Sequence, residues 1–72
     1  MPASTVRRVT ASLRERDERN LEQVAEIAGL TPSDAIRKAL ATEAFIQETL
    51  KSGGAILVRE SSGEVQEVKF VS

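Results

Sequence analysis

Three side chains near the N-terminus, Arg8, Thr10 and Ser12, alternate with the apolar Val9, Ala11 and Leu13. A period of two puts the polar three on one face of an extended strand and the apolar three on the other. The polar face can do a specific kind of chemistry. An arginine guanidinium bonds the edge of guanine bidentately, and Ser or Thr hydroxyls donate to or accept from several bases. The same residues would also suit the solvent face of an ordinary edge strand. Other chemistry is poorly provided for. The 72 residues include no Cys and no His, so disulfides and thiolate metal sites are excluded. The commonest metal ligand and the commonest general base are missing with histidine. No phosphate-binding loop and no nucleophile–base pairing is recognisable. Glu60, Glu64 and Glu67 fall around a turn and strand, where carboxylates serve as solubilising edge charges. The chain reads as no enzyme, with no cofactor and no metal site.

Net charge is −1, but it is unevenly spread. Residues 1–19 hold Arg7, Arg8, Arg14, Arg16 and Arg19 against Glu15, Asp17 and Glu18, whereas the remainder holds five basic and eight acidic residues. A basic end on an acidic body fits a local footprint for a polyanion, or simply a solvated arginine-rich face. No apolar run approaches the ~20 residues that span a bilayer, and no signal peptide is visible, so a cytoplasmic protein without membrane contact is expected.

The elements that must position the alternating segment follow it. Leu21, Val24, Ala25 and Ala28 recur at helical spacing with Ile27 beside them, predicting a helix over about 15–28. Gly29 suits the left-handed position that ends a helix, and Leu30 the apolar contact that accompanies it. In "TPSD", Thr31 is a good N-cap, Pro32 fits the first helical position and Asp34 complements the helix dipole. The second helix is predicted over about 32–51, with Ile36, Ala39, Leu40, Ile46 and Leu50 on one stripe and Glu43 inside it. Phe45 projects to the other side and suggests a second packing surface. "KSGGA" breaks the helix. "AILVR", "ESSGE" and "VQEVKFV" then read as strand, turn and strand. An isolated hairpin is marginal in water. Its Ile56, Val58, Val68 and Phe70 are therefore expected to dock near the far end of the second helix, by Phe45. The hairpin would support a dimer there or present an edge to a neighbouring dimer or protein. Residues 1–5 are expected to be disordered.

The order is strand, helix, helix, hairpin. A lone strand leaves both backbone edges unpaired, and a chain of this length buries too little surface to be stable alone. Both needs are met if the strand pairs antiparallel with its copy across a two-fold axis. Val9, Ala11 and Leu13 then face the helices. Arg8, Thr10 and Ser12 from two copies present six outward side chains on a ribbon of the width that the B-DNA major groove admits.

"RRVTASL" followed by "NLEQVAEIAGLTPSDAIRKAL" resembles the ribbon-helix-helix DNA-binding proteins of the Arc/MetJ/CopG type. The resemblance covers about residues 6–44 and rests on the order and spacing of the elements. It implies an α+β fold, an intermolecular two-stranded ribbon in a homodimer, and insertion of that ribbon into the major groove of double-stranded DNA. It carries base contact to Arg8, Thr10 and Ser12, and phosphate contact to Thr31, Pro32 and Ser33. The phosphate role agrees with the free N–H groups that open any helix. "RERDER" is more charged than the pattern leads one to expect, and Arg14 lacks the usual capping chemistry. Residues 1–52 form the expected DNA-binding and dimerisation core, and residues 53–72 a hairpin extension outside the resemblance. The implied function is that of a dimeric sequence-specific DNA-binding protein, most simply a transcriptional repressor. The alternative is an antitoxin-type module whose C-terminal segment binds a partner protein. A tail of that kind commonly folds only on its partner. The strand and turn patterning here favours a self-contained regulator.

Overall fold

A computed structural model describes residues 6–70; the expectation for residues 1–5 lies outside them. The chain forms two helices, α1 (Glu15–Ala28) and α2 (Pro32–Lys51), and a two-stranded antiparallel sheet of β1 (Leu57–Arg59) and β2 (Val65–Glu67). The architecture is thus a small α+β one, and both helices fall where their periodicity puts them.

Each helix end has a local cause. Arg14, the residue before α1, is extended, and its N–H donates to the Asp17 carboxylate at 3.0 Å. The cap that Arg14 cannot supply from its own side chain therefore comes from three residues downstream, which explains one acid of the charged "RERDER" run. α1 stops at Gly29, whose φ of 66° is left-handed. Gly29 N–H bonds the Glu26 carbonyl at 3.3 Å and Leu30 N–H the Ala25 carbonyl at 2.9 Å, so two orphaned carbonyls of the last turn are satisfied. α2 ends in the same way. Gly53 N–H bonds the Leu50 carbonyl and Gly54 N–H the Thr49 carbonyl, with Gly53 at φ 89°.

The hairpin pairs Leu57 with Glu67, Val58 with Gln66 and Arg59 with Val65. Val68 N–H to the Ile56 carbonyl (2.8 Å) and Glu60 N–H to the Glu64 carbonyl (2.7 Å) extend the ladder at both ends.

One expectation is corrected. The hairpin does not dock on α2: its strands contact each other and neither helix, and Phe45 is left 66% exposed. At the far end of α2, Ile46, Thr49 and Leu50 are half-buried while Phe45 faces open surface. The ribbon expected of residues 7–13 pairs two copies; in the single chain residues 6–14 have no regular structure. The physical reason is the one that made the strand puzzling. A ladder needs a second strand, and β1 and β2 use each other.

The packing between α1 and α2 buries little. Among the described residues Ala35 alone is fully buried. Leu21, Val24, Ala25 and Leu30 are half-buried, and Ile36 and Leu40 stay exposed at 44% and 65%. With 14 residues, α1 can cover only part of the 20-residue α2, so Glu43 lies on open surface, where it accepts a hydrogen bond from Gln47. The chain exposes 6965 Å², whereas a compact monomer of its mass would expose about 4,400 Å². Its radius of gyration is 15.3 Å, against about 11 Å for a compact chain of this length.

Candidate nucleic-acid interface

The segment before α1 has two faces that differ in their surroundings. Val9, Ala11 and Leu13 line one open groove together with Leu21 and Val24 of α1 and Ala35, Ile36, Ala39 and Leu40 of α2. The apolar alternation thus lies along the uncovered apolar side of the helix pair. Arg8, Thr10 and Ser12 do not line the groove and are exposed. Within one chain the groove stays open: Val9 is 77% exposed and Leu13 46%.

The start of α2 is built by Thr31. Its hydroxyl oxygen accepts the Asp34 N–H at 3.2 Å, and its carbonyl accepts the Ala35 N–H at 2.8 Å. Pro32 has no N–H to offer and fixes the backbone on entry. Ser33 therefore supplies the one backbone N–H of this first turn that the helix leaves open, beside the Ser33 and Thr31 hydroxyls. Those three groups can bind one phosphate oxygen pair. Leu13 and Pro32 line a common hollow with Leu30 and the α1 side chains Leu21 and Ala25, so the end of the alternating segment lies beside the start of α2. Glu18, Glu22 and Glu26 line the same hollow, which makes its α1 flank acidic.

Asp34 is held below its ordinary value of 3.8, chiefly by the Arg37 guanidinium that donates to it and then by the Thr31 hydroxyl. A carboxyl depressed on folding stabilises the folded chain above pH 3.8, and that contribution is lost as pH falls through the lower, folded value. Carbon-detected titration should give an Asp34 midpoint below 3.8 that returns toward it in Arg37→Ala. The Thr31→Ala variant should lose about 1 kcal/mol of stability through the missing cap, read as a lowered denaturation midpoint.

Among the described residues, Arg19 pairs with Glu15 at 3.2 Å on the surface, whereas Arg7, Arg8, Arg14 and Arg16 make no ion pair. The unpaired arginines lie in and beside the alternating segment. Among the described residues, no group of three or more His, Cys, Asp or Glu could hold a metal, and no helix is long and apolar enough to cross a membrane.

No protein-family model matches the chain, and neither a curated protein nor a solved structure matches it.

Ala35 was not singled out by the sequence reading. Its signal was present: a small residue three positions after the helix start, where a close helix crossing needs one.

Proposed function

We propose that the chain is a homodimeric, sequence-specific DNA-binding protein, most simply a repressor, that reads the major groove with a two-stranded ribbon. One observation carries the reading. Val9, Ala11 and Leu13 share an open apolar groove with both helices, while Arg8, Thr10 and Ser12 stand off it. A second copy of the segment, paired antiparallel with the first, satisfies the unpaired backbone and covers the groove in a single step. The six polar side chains then lie on the outer face, at a width the major groove accepts. Ser33 and the Thr31 hydroxyl, at the start of α2, hold the flanking phosphates and fix the ribbon's register on the duplex. The unpaired arginines add sequence-independent attraction, which falls as salt rises. The hairpin forms its own ladder within the single chain, which supports a self-contained regulator over an antitoxin whose tail folds on its partner.

The test is selection of bound sequences from random duplex DNA, with stoichiometry measured on the winning duplex. The reading requires a defined base preference and an even number of chains per duplex. Enrichment of no sequence, or binding as a single chain, would overturn it. On the winning duplex, Arg8→Ala should weaken binding by about 1–3 kcal/mol per lost base contact while leaving the helical content unchanged.

A further inference from the structure

The hairpin has a free edge whose chemistry specifies its own partner. Val68 and Glu64 are bonded to Ile56 and Glu60, so alternate residues of β2 turn their backbone groups inward. By the alternation of antiparallel pairing, Val65, Glu67 and Lys69 direct their N–H and C=O groups away from β1. Ile56 and Val68 lie opposite each other, and so do Val58 and Gln66. The three apolar residues therefore share one face, half of it open, and Phe70 follows two residues on at 46% exposure. A two-stranded sheet with an uncovered apolar face is not stable by itself, and neither helix touches this one.

We propose that β2 pairs antiparallel with β2 of a second copy, in the register centred on Val68, so that two hairpins merge into one four-stranded sheet. Charge selects this register. Outward-facing residues pair only with outward-facing ones, so the two-fold axis passes through a residue rather than between two. Centring on Glu67 puts glutamate opposite glutamate, and centring on Lys69 puts lysine opposite lysine. Both are destabilising. Centring on Gln66 pairs Val65 with Glu67 and leaves Lys69 beyond the strand. Centring on Val68 sets Glu67 of each copy directly opposite Lys69 of the other, giving two cross-strand ion pairs and two pairs of backbone hydrogen bonds. Within one chain Lys69 donates to Glu67 at 2.6 Å, so both side chains already lean to the same side of the strand. The outer edge of β1 offers no such match, since Arg59 is its one charged outward residue. Pairing of β2 with β1 of the next copy would oppose Glu67 to Arg59. It would give one ion pair and would not close, whereas the β2–β2 contact is isologous and terminates. The proposal rests on the hairpin alone and is independent of what the N-terminal segment binds. If that segment also pairs, the hairpin gives the assembly a second two-fold contact, through which neighbouring dimers on adjacent sites would join.

The native chain has no cysteine, so a single introduced thiol reports the contact directly. In the proposed register Val68 faces itself across a non-hydrogen-bonded pair, the closest approach in an antiparallel ladder. Full-length Val68→Cys should oxidise readily to a covalent dimer, far faster than Ser61→Cys in the exposed turn. Adding Glu67→Lys or Lys69→Glu should cut the yield about tenfold, because each puts two like-charged pairs across the axis. Mixing the two charge variants should restore it, and so should the double exchange Glu67→Lys/Lys69→Glu. Crosslinking of Val68→Cys no faster than Ser61→Cys overturns the proposal. So does a mixture that fails to recover, or loss of crosslinking in Glu67→Lys but not in Lys69→Glu. None of these readouts depends on DNA binding or on the ribbon, so failure here leaves the reading of the N-terminal segment untouched.

Discussion

Ala11→Asp should abolish the folded assembly. Ala11 lies on the groove face of the N-terminal segment, between Val9 and Leu13, and lines the same groove as Leu21, Val24 and Ile36. In the paired ribbon that face is covered twice over, once per copy, and an unpaired carboxylate there costs several kcal/mol each time. Marginal proteins have about 5–15 kcal/mol in all to lose. The single chain has no reserve, since Ala35 is its one fully buried described residue. Circular dichroism should show the helical transition lost or shifted far down, and sedimentation should show a monomer. Thr10→Asp provides the contrast. It puts the same charge one residue away on the open face, so the fold and the assembly should survive. Equal damage from both would mean that the segment has no buried face. For the parent protein, the thermal midpoint should rise with concentration, as it does when folding and association are one process.

The second large effect is on recognition. Replacing Arg8, Thr10 and Ser12 together with alanine takes six side chains from the outer face of the proposed dimer and none from the groove. Stability should stay within about 0.5 kcal/mol of the parent, as for surface changes generally. Binding to the selected duplex should fall to the level of unrelated DNA, a loss of at least a thousandfold on the usual gap between specific and non-specific affinity. Residual binding should keep a steep salt dependence, because Arg7, Arg14 and Arg16 remain as unpaired cations. Competition titrations at fixed salt measure this. Retained preference for the selected sequence would move base reading to another part of the chain.

The helices were legible in the sequence because their causes are local. Thr31, Pro32 and Gly29 act within a turn of themselves, and the bounds of α1 and α2 follow from them. The hairpin was legible for the same reason, from β-rich runs around a polar turn. What failed was long-range. The placement of the hairpin on α2 was inferred from Phe45 and from the need to cover apolar residues, but a need for cover does not say which surface supplies it. Ile56 and Val68 cover each other in part, and Phe45 is left open. The N-terminal strand marks a different limit. Its alternation was readable, but a ladder is a property of two strands, and a single chain can show only that the apolar side of the segment lies along the helices. Arg14 as a cap position looked anomalous because the supporting group is Asp17, reached through the backbone N–H of Arg14 and not through its side chain.

The most direct test of the ribbon is an isotope-filtered NMR measurement on a one-to-one mixture of labelled and unlabelled chains bound to the selected duplex. The account predicts cross-strand contacts between copies along residues 8–13, in one antiparallel register. It also predicts contacts from Arg8, Thr10 and Ser12 to major-groove protons such as thymine methyls. Contacts along residues 8–13 that arise within one chain only, or base contacts that come from the hairpin instead, would contradict it.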